Sequence, residues 1–389
     1  MTLPAMNWNF PTAIRFGAGR IAELAGACRS LGISRPLLVT DPVLARLPFI
    51  RAAVTANAEA GISTGVFCEI EANPVGSNID AGVAAYASGS HDGVIAFGGG
   101  SALDVGKVIA FMSGQSRQLW DFEDREDWWS RADPEGIAPI IAVPTTAGTG
   151  SEVGRAGVII DEAQQVKKII FHPRMMPAIV ILDPELTVGL PAHVTAATGM
   201  DALAHCLEAY CAPGFHPMAD GIAAEGAKLV HDWLAKAVLD GSDLNARGGM
   251  LIAASMGATA FQKGLGGMHA LSHPIGALYK THHGLTNAVL MPYVLAFNRP
   301  AIDARLSRLA GFAGLPHASF DALLQWVLQL REQLSIPHSL RDIGITDDQL
   351  DRLAHMAEAD PSAGGNPLPF DADAARQVLV WAMAGELPA

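Results

Sequence analysis

The first half of the chain alternates short apolar runs with stretches of helical apolar spacing. The apolar runs occupy residues 37–40, 66–68, 93–97 and 139–143, and the helical stretches occupy residues 21–31, 79–87 and 101–112. Parallel strands need crossover connections, which are usually helices, so this alternation is typical of βαβ units. It predicts an α/β fold with a doubly wound, mostly parallel sheet. Four further candidate strands, the first of them at an edge, lie at residues 13–16, 158–160, 168–170 and 179–182.

The character of the sequence changes after Asp183-Pro184. Helical spacing dominates from there on, with expected breaks at residues 213–214, 264–267 and Pro292. We predict an α/β domain over residues 1–187 and an all-α domain over 188–389, because 389 residues, half of them apolar, suffice for two cores. An acidic, aromatic segment at 120–129 (WDFEDREDWW) is predicted to be a surface loop that packs its tryptophans, with a contact surface as the alternative.

Charge and cysteine content disfavour several classes of protein. The net charge of −13 argues against binding to nucleic acid or to an anionic membrane surface, because both need clustered Lys and Arg. The four cysteines form no Cys-x-x-Cys pair, so a thiolate zinc site is not expected. Residues 1–11 lack the regions of a signal peptide, and no apolar run approaches the roughly 18 residues that span a bilayer. We predict a soluble cytoplasmic protein.

A glycine turn, Gly98-Gly99-Gly100-Ser101, follows a strand and precedes a helix. Glycine lets the backbone approach a ligand, and a helix N-terminus offers free N–H groups and a positive dipole end to an anion. Ser101 is predicted to cap this helix, with Asp104 completing a capping box. The turn therefore indicates a pyrophosphate site, although an ordinary βα turn has the same composition. Residues 17–22 (GAGRIA) fit G-x-G-x-x-A, but short glycine patterns are frequent and this signal is weak.

Two other loops after strands carry groups that suit a nucleotide. Asp41 ends the first clear strand, where a carboxylate can accept hydrogen bonds from a ribose diol and repel a 2′-phosphate. Asp-Pro is also a common turn, so a purely structural role stays open. Residues 144–152 (PTTAGTGSE) supply hydroxyl and N–H groups that can bind phosphate or nicotinamide, or can simply form a tight loop.

Eight of the thirteen histidines fall within residues 193–283. Asp201 and His205 are four residues apart, which places them on one face of a helix. One carboxylate and several imidazoles, without thiolates, favour Fe²⁺ or Zn²⁺. The sequence therefore predicts a metal site that can polarise a substrate oxygen. Spacing alone does not choose the remaining ligands among His269, His273, His282 and His283.

Four ordered motifs run through the chain. They are GGGS at 98–101 with Asp104 and Lys107, PTTAGTGSE at 144–152, GMDA at 199–202 with His205 and Glu208, and HALSHPIGALYKTHHG at 269–284. Together they resemble the iron-containing (group III) alcohol dehydrogenases over nearly the whole chain, least clearly after about Asn298. The resemblance implies a Rossmann-like dinucleotide-binding domain, an all-helical domain for metal and substrate, and an active site in the cleft between them.

The resemblance also implies roles for individual residues. The metal ligands would be Asp201, His205, His269 and His283, and His273 would be a catalytic residue near the nicotinamide that relays a proton. Lys167 would reach the ribose, and Asp41 matches the position that favours NAD over NADP. The full cofactor-binding set would be Asp41, Asn73, Gly98, Gly99, Gly100, Ser101, Asp104, Thr145, Thr146, Thr149, Ser151 and Lys167.

The predicted function is a metal-dependent, NAD(H)-linked oxidoreductase that interconverts a small alcohol with its aldehyde or ketone by hydride transfer. Its cofactors would be NAD and Fe²⁺ or Zn²⁺, and it would be a homodimer or higher homo-oligomer. Maleylacetate reductases share this fold but lack the metal and carry asparagine at the position of Asp201, which favours the metal-dependent reading. A dehydroquinate-synthase-like lyase is the other alternative, but its polyanionic substrate would need several basic residues, and few lie near these motifs, Arg247, Lys263 and Lys280 among them.

Overall fold

The computed structural model describes residue 10, residues 12–164 and residues 166–388. These residues form two compact units, Phe10–Gly189 and the chain from Leu190 onward. Most of the stretch 1–11, on which the signal-peptide prediction rests, lies outside the described residues. No helix in the described part of the chain combines the length and apolar character that crossing a bilayer requires.

The N-terminal unit contains a six-stranded parallel sheet and a separate two-stranded antiparallel hairpin. The strands are β1 Ala13–Phe16, β2 Pro36–Val39, β3 Gly65–Phe67, β4 Gly93–Gly98, β5 Ile140–Pro144, β6 Ala156–Asp161, β7 Val166–Phe171 and β8 Ile179–Leu182. The sheet order is β1-β8-β5-β4-β2-β3, and β6 pairs with β7. The predicted parallel sheet is confirmed, with β1 at an edge. The apolar runs at 158–160 and 168–170 are strands too, but they belong to the hairpin.

Helices cover both faces of this sheet. They are α1 Leu24–Ser30, α2 Pro48–Glu59, α3 Gly76–Ser88 and α4 Gly100–Met112. Successive residues of a strand point to opposite faces, so Val94 and Ala96 of β4 join one buried cluster, while Ile95 and Phe97 join another. Burial on both faces explains why the central strands read as continuous apolar runs in the sequence.

The order of the strands defines where a ligand can bind. From β2 the chain continues to β3 at one edge, whereas from β4 it continues to β5 on the other side. The chain therefore changes direction between the neighbours β2 and β4, which is the topological switch point. Open α/β sheets bind their ligands at such a point, outside the carboxyl ends of the strands. Asp41 comes shortly after β2, and the glycine turn comes directly at the end of β4.

The C-terminal unit is helical in its described residues. Its helices are α5 Ala192–Cys211, α6 Pro217–Leu239, α7 Leu244–Ala260, α8 Gly267–Tyr279, α9 His283–Phe312, α10 Phe320–Gln333, α11 Leu350–Glu358 and α12 Ala372–Ala384. The break expected at Pro292 was wrong, because α9 continues through it as a buried helix whose packing outweighs the proline cost of about 3 kcal/mol. Helix α5 is buried along most of its length and packs against α6, α7 and α9.

The acidic, aromatic segment 120–129 packs its tryptophans against neighbouring side chains. Trp129 meets the ring of Phe171 edge-on, with centroids 6.4 Å apart. The guanidinium of Arg131 lies 4.0 Å from the ring centre of Trp128. These contacts confirm the predicted surface loop that covers its own aromatic residues.

Candidate functional site

The glycine turn leads into α4 without a side-chain cap. The N-cap residue is Gly99, and no hydrogen bond from its side chain is possible. The predicted capping box was wrong, because the helix begins before Ser101 and places that residue inside the first turn. The Ser101 hydroxyl donates instead to the carbonyl oxygen of Ala72, at 2.5 Å. The helix N-terminus is therefore left to offer its N–H groups to an anion.

The glycine turn packs closely against the threonine loop that follows β5. The amide of Thr145 donates to the carbonyl oxygen of Gly98, at 2.9 Å. A Cβ on Gly100 would lie 2.7 Å from the Thr149 hydroxyl oxygen, so a larger residue would not fit. Gly98 has φ +153, a conformation that side chains rarely adopt. The two loops predicted to bind the dinucleotide thus lie together at the carboxyl edge of the sheet.

A hydrogen bond between Asp104 and Ser151 connects α4, which follows the glycine turn, to the end of the threonine loop. Asp104 accepts hydrogen bonds from the Ser151 hydroxyl and, at 3.0 Å, from the Val158 amide. The buried Lys107 ammonium lies 3.3 Å from Asp104 and donates to the Ser151 carbonyl oxygen at 3.0 Å. Burial lowers the pKa of Lys107, and the Asp104 carboxylate opposes that shift. Both predicted cofactor residues are thus bonded to each other within the fold.

The other predicted cofactor residues lie in three separate places. One oxygen of Asp41 accepts from the amides of Val43 and Leu44, both at 2.9 Å, so this carboxylate also closes its own turn. Asn73 lies in the loop between β3 and α3. Lys167 lies on β7, and its neighbour Lys168 is committed to the hairpin by a 2.8 Å ion pair with Asp161.

The weaker glycine pattern at residues 17–22 already holds an anion from its own chain. The buried carboxylate of Asp183 accepts from the Gly19 amide at 3.1 Å and from the Ile21 amide at 2.9 Å. Its oxygens occupy the N–H groups that a phosphate would need. The Gly19 and Ile21 amides are therefore not free to bind a phosphate.

Three helices of the C-terminal unit bring one carboxylate and three imidazoles together. Asp201 and His205 come from α5, His269 from α8, and His283 is the first residue of α9. Ligand atoms of Asp201, His205 and His269 all lie within 4.8 Å of one another. The His283 Nε2 atom lies 3.6 Å from Asp201 Oδ1. Close helix packing supports this arrangement, since a Cβ on Gly257 of α7 would lie 3.0 Å from the His205 Cβ.

The protonation chemistry of this cluster fits a divalent cation. Burial raises the pKa of Asp201, but His205, His283 and His269 outweigh it and hold the pKa well below its usual range. The ionised carboxylate is thus a ready ligand. Glu208 lies 2.5 Å from His269 Nδ1, which makes Nδ1 the protonated nitrogen and leaves Nε2 to face Asp201 at 4.0 Å.

Geometry separates the four histidines that sequence spacing left open. His269 and His283 face Asp201, whereas His273 Nδ1 lies 2.9 Å from the carboxylate of Asp360. The His273 ring stacks on that of His283, with centroids 5.4 Å apart. His282 is the N-cap of α9, and its ring accepts from the Leu285 amide at 3.4 Å.

Several residues at this site had no role assigned from the sequence. Glu208 follows Asp201 and His205 at helical spacing, so its shared face was available as a signal. Asn287 lies one turn after His283 and contacts three ligand atoms, at 2.8–3.2 Å. Asp360 is 87 residues from His273, and no local pattern connects the two.

Comparison with known proteins agrees with this geometry. Residues 11–184 match the family described as iron-containing alcohol dehydrogenase, and residues 195–383 match the C-terminal part of the Fe-containing alcohol dehydrogenase family. A 4-hydroxybutyrate dehydrogenase from Cupriavidus necator is 40% identical, covering 96% of this chain and 98% of its own. An NAD-dependent methanol dehydrogenase from Bacillus methanolicus is 32% identical, covering 93% and 95%. A solved 1,3-propanediol oxidoreductase is 33% identical with a TM-score of 0.93, covering 98% of this chain and 100% of its own.

These matches span both units and include the glycine turn, the threonine loop and the four-residue cluster. The expected family, the Rossmann-like and helical architecture, and the use of NAD with a divalent metal are confirmed. The chain belongs to the iron-containing alcohol dehydrogenase family and is an NAD-linked oxidoreductase.

Proposed function

We propose that Asp201, His205, His269 and His283 hold the divalent cation of an alcohol dehydrogenase acting on small alcohols and their aldehydes or ketones. The observation that carries the proposal is the convergence of one ionised carboxylate and three imidazoles from α5, α8 and α9. The glycine turn and the threonine loop bind the dinucleotide, so the N-terminal unit serves the cofactor and the helical unit serves metal and substrate.

The residues of the chain divide the work of the reaction. When bound, a divalent cation supplies a Lewis acid for the substrate oxygen, and NAD supplies the hydride acceptor. His273 accepts the hydroxyl proton as the hydride leaves the carbon, and returns it in the reverse direction. Asp360 accepts from His273 Nδ1 at 2.9 Å, so Nε2 is the nitrogen that exchanges the proton.

Of the three basic residues named from the sequence, Lys263 and Arg247 are already bonded within the helical unit, which gives the lyase alternative little support. Lys263 donates to Asp220 at 2.5 Å and to the Tyr210 carbonyl oxygen at 3.2 Å. Arg247 donates to the Thr195 hydroxyl at 2.7 Å. Both cations are bonded inside the helical unit and are poorly placed to bind a polyanionic substrate. Asp201 in turn separates this chain from the asparagine pattern of the metal-free maleylacetate reductases.

One assay tests the proposed function directly. Protein loaded anaerobically with Fe²⁺, or with Zn²⁺, is given NAD and a panel of small primary alcohols and hydroxy acids, and NADH absorbance is followed. The proposal expects NADH to accumulate in proportion to the alcohol consumed. A lyase regenerates its cofactor within each cycle and releases no net NADH. Absence of NADH with every alcohol of the panel would therefore contradict the proposal.

The coenzyme preference tests the assignment of Asp41. Asp41→Asn removes the negative charge but keeps an oxygen that can accept from Val43 and Leu44. We expect kcat/KM for NADP to rise about tenfold or more, because repulsion of the 2′-phosphate is worth roughly 1–2 kcal/mol. The stability of the protein should stay unchanged. An unaltered NAD-to-NADP ratio of kcat/KM would remove Asp41 from the ribose site.

The oligomeric state and location complete the proposal. The enzyme is a cytoplasmic homodimer or higher oligomer. Edge strand β1 leaves Ile14 and Phe16 39% and 43% exposed, which is an apolar surface that a second copy can cover. All four cysteines are free, which agrees with the proposed reducing compartment. Light scattering should give at least twice the chain mass of 40.7 kDa, and a measured monomer would contradict the assembly.

A further inference from the structure

One buried amide contacts three of the four candidate ligands at once. The Asn287 Nδ2 atom lies 2.8 Å from Asp201 Oδ1, 3.2 Å from His269 Nε2 and 3.1 Å from His283 Nε2. Asn287 is completely buried on α9, one turn after His283. It therefore reaches ligands on α5, α8 and α9 from a single position.

The surroundings decide which end of the amide faces the cluster. The Asn287 Nδ2 group donates to Asp201 Oδ1 at 2.8 Å, and a carboxylate oxygen accepts hydrogen bonds. In the neutral His269 ring, which is the form that binds a cation, the proton is on Nδ1 toward Glu208 and Nε2 accepts. An amide oxygen in the same place would meet two acceptors and be repelled. The NH₂ group must point at the ligands, which leaves the buried Oδ1 atom without a partner among the described residues.

The buried Oδ1 atom of Asn287, unpartnered in the part of the chain that is described, lowers the stability of the fold. A buried acceptor without a partner costs about 1–3 kcal/mol. An apolar residue of similar size would avoid that cost. The arrangement is therefore explained by what the NH₂ group does for the ligands, not by what the amide does for the core.

We infer that Asn287 is a positioning residue for the metal ligands. Its NH₂ group fixes the rotation of the Asp201 carboxylate and draws α9, with His283, toward α5. An NH₂ group has two hydrogens, so besides Asp201 it can donate to only one imidazole at a time. A carboxylate oxygen has two lone pairs, so Asp201 would keep the Asn287 bond with a cation bound, whereas the imidazole Nε2 atoms would serve the cation. The inference rests on the proposed metal site and extends it to a fifth residue.

Zn²⁺ affinity provides the test, measured by competition with a chelating dye on the full chain. Asn287→Ala and Asn287→Leu both remove the donor, but leucine keeps the volume. We expect both to raise the Zn²⁺ dissociation constant about 10- to 100-fold, the usual effect of losing a residue that orients a ligand. We also expect the visible d–d spectrum of bound Co²⁺ to change in both, because the carboxylate is free to rotate. Circular dichroism of the metal-free proteins verifies folding.

Asn298→Ala is the matched control. Asn298 is a buried amide on the same helix that pairs with Asn366 and contacts no ligand atom in the described structure. Its Zn²⁺ affinity should stay within about twofold of wild type, as for independent sites. Wild-type affinity and an unchanged Co²⁺ spectrum in both Asn287 variants would overturn the inference, as would recovery by leucine alone, which would indicate packing. Failure of the wild-type protein to bind Zn²⁺, Fe²⁺ or Co²⁺ would instead reject the proposed function.

Discussion

Replacing His269 with alanine is expected to remove both bound metal and turnover. His269 is buried, with Nδ1 held by Glu208 and Nε2 facing Asp201, so its loss removes one of the four candidate metal ligands. Loss of Lewis-acid stabilisation worth several kcal/mol lowers kcat/KM by about 10³-fold or more. Elemental analysis of anaerobically purified protein measures the metal, and NADH absorbance measures turnover.

His282→Ala is the control for this prediction. This neighbouring histidine caps α9 through the Leu285 amide, so its loss should reduce stability by about 1 kcal/mol while metal content is retained. Full activity in a metal-free His269 variant would reject the metal-dependent scheme. Equal metal loss in both variants would show that the geometry separating the two histidines is wrong.

Gly284→Ala is expected to pull the candidate metal site apart without replacing any ligand. A Cβ at this position would lie 2.3 Å from the Ala197 carbonyl oxygen and 3.0 Å from the Asp201 Cβ. The first obstacle is backbone, so no side-chain rotation relieves it, and α9 must move away from α5. His283 is the adjacent residue, and its 3.6 Å separation from Asp201 would increase. We expect at least tenfold weaker metal binding and a destabilisation of about 1–3 kcal/mol or more.

Thermal unfolding with and without Zn²⁺ measures both effects of Gly284→Ala. The control is Gly221→Ala on α6, where an added Cβ meets nothing within 4 Å. This change should be neutral or stabilising by about 0.4–1 kcal/mol, because alanine restricts the unfolded chain. A Gly284 variant that matches the Gly221 variant in stability and metal affinity would show that α5 and α9 tolerate separation.

The arrangement of the sheet could be predicted from the sequence to a large extent. Strands buried on both faces are continuous apolar runs, and β4 and β5 have that pattern. The pairing partners of the strands could not be predicted, because β6 and β7 have similar apolar runs yet form a separate hairpin. Helix α2 was not predicted from the sequence, although its amphipathic spacing is stronger than that of α3 and α4. The break expected at Pro292 shows the same limit, because packing in the helical unit outweighs a local preference.

Some residues of the candidate site could likewise be predicted from the sequence, and others could not. Helical spacing put Asp201 and His205 on one face, and the motif resemblance supplied His269 and His283. Asp360 could not be found from the sequence, since it lies 87 residues from its partner and only the folded chain brings them together. The capping role expected of Ser101 failed because a helix boundary that shifts by one or two residues changes which side chain is the cap.

The contact between Asp183 and the turn at residues 17–21 determines whether a phosphate can bind at that turn. A phosphate that entered this turn would have to displace the buried Asp183 carboxylate, which the chain itself holds in place. In the proposed assignment, this contact leaves phosphate binding to the glycine turn at 98–101. Asp183→Asn would weaken this contact and make the Gly19 and Ile21 amides accessible to free phosphate.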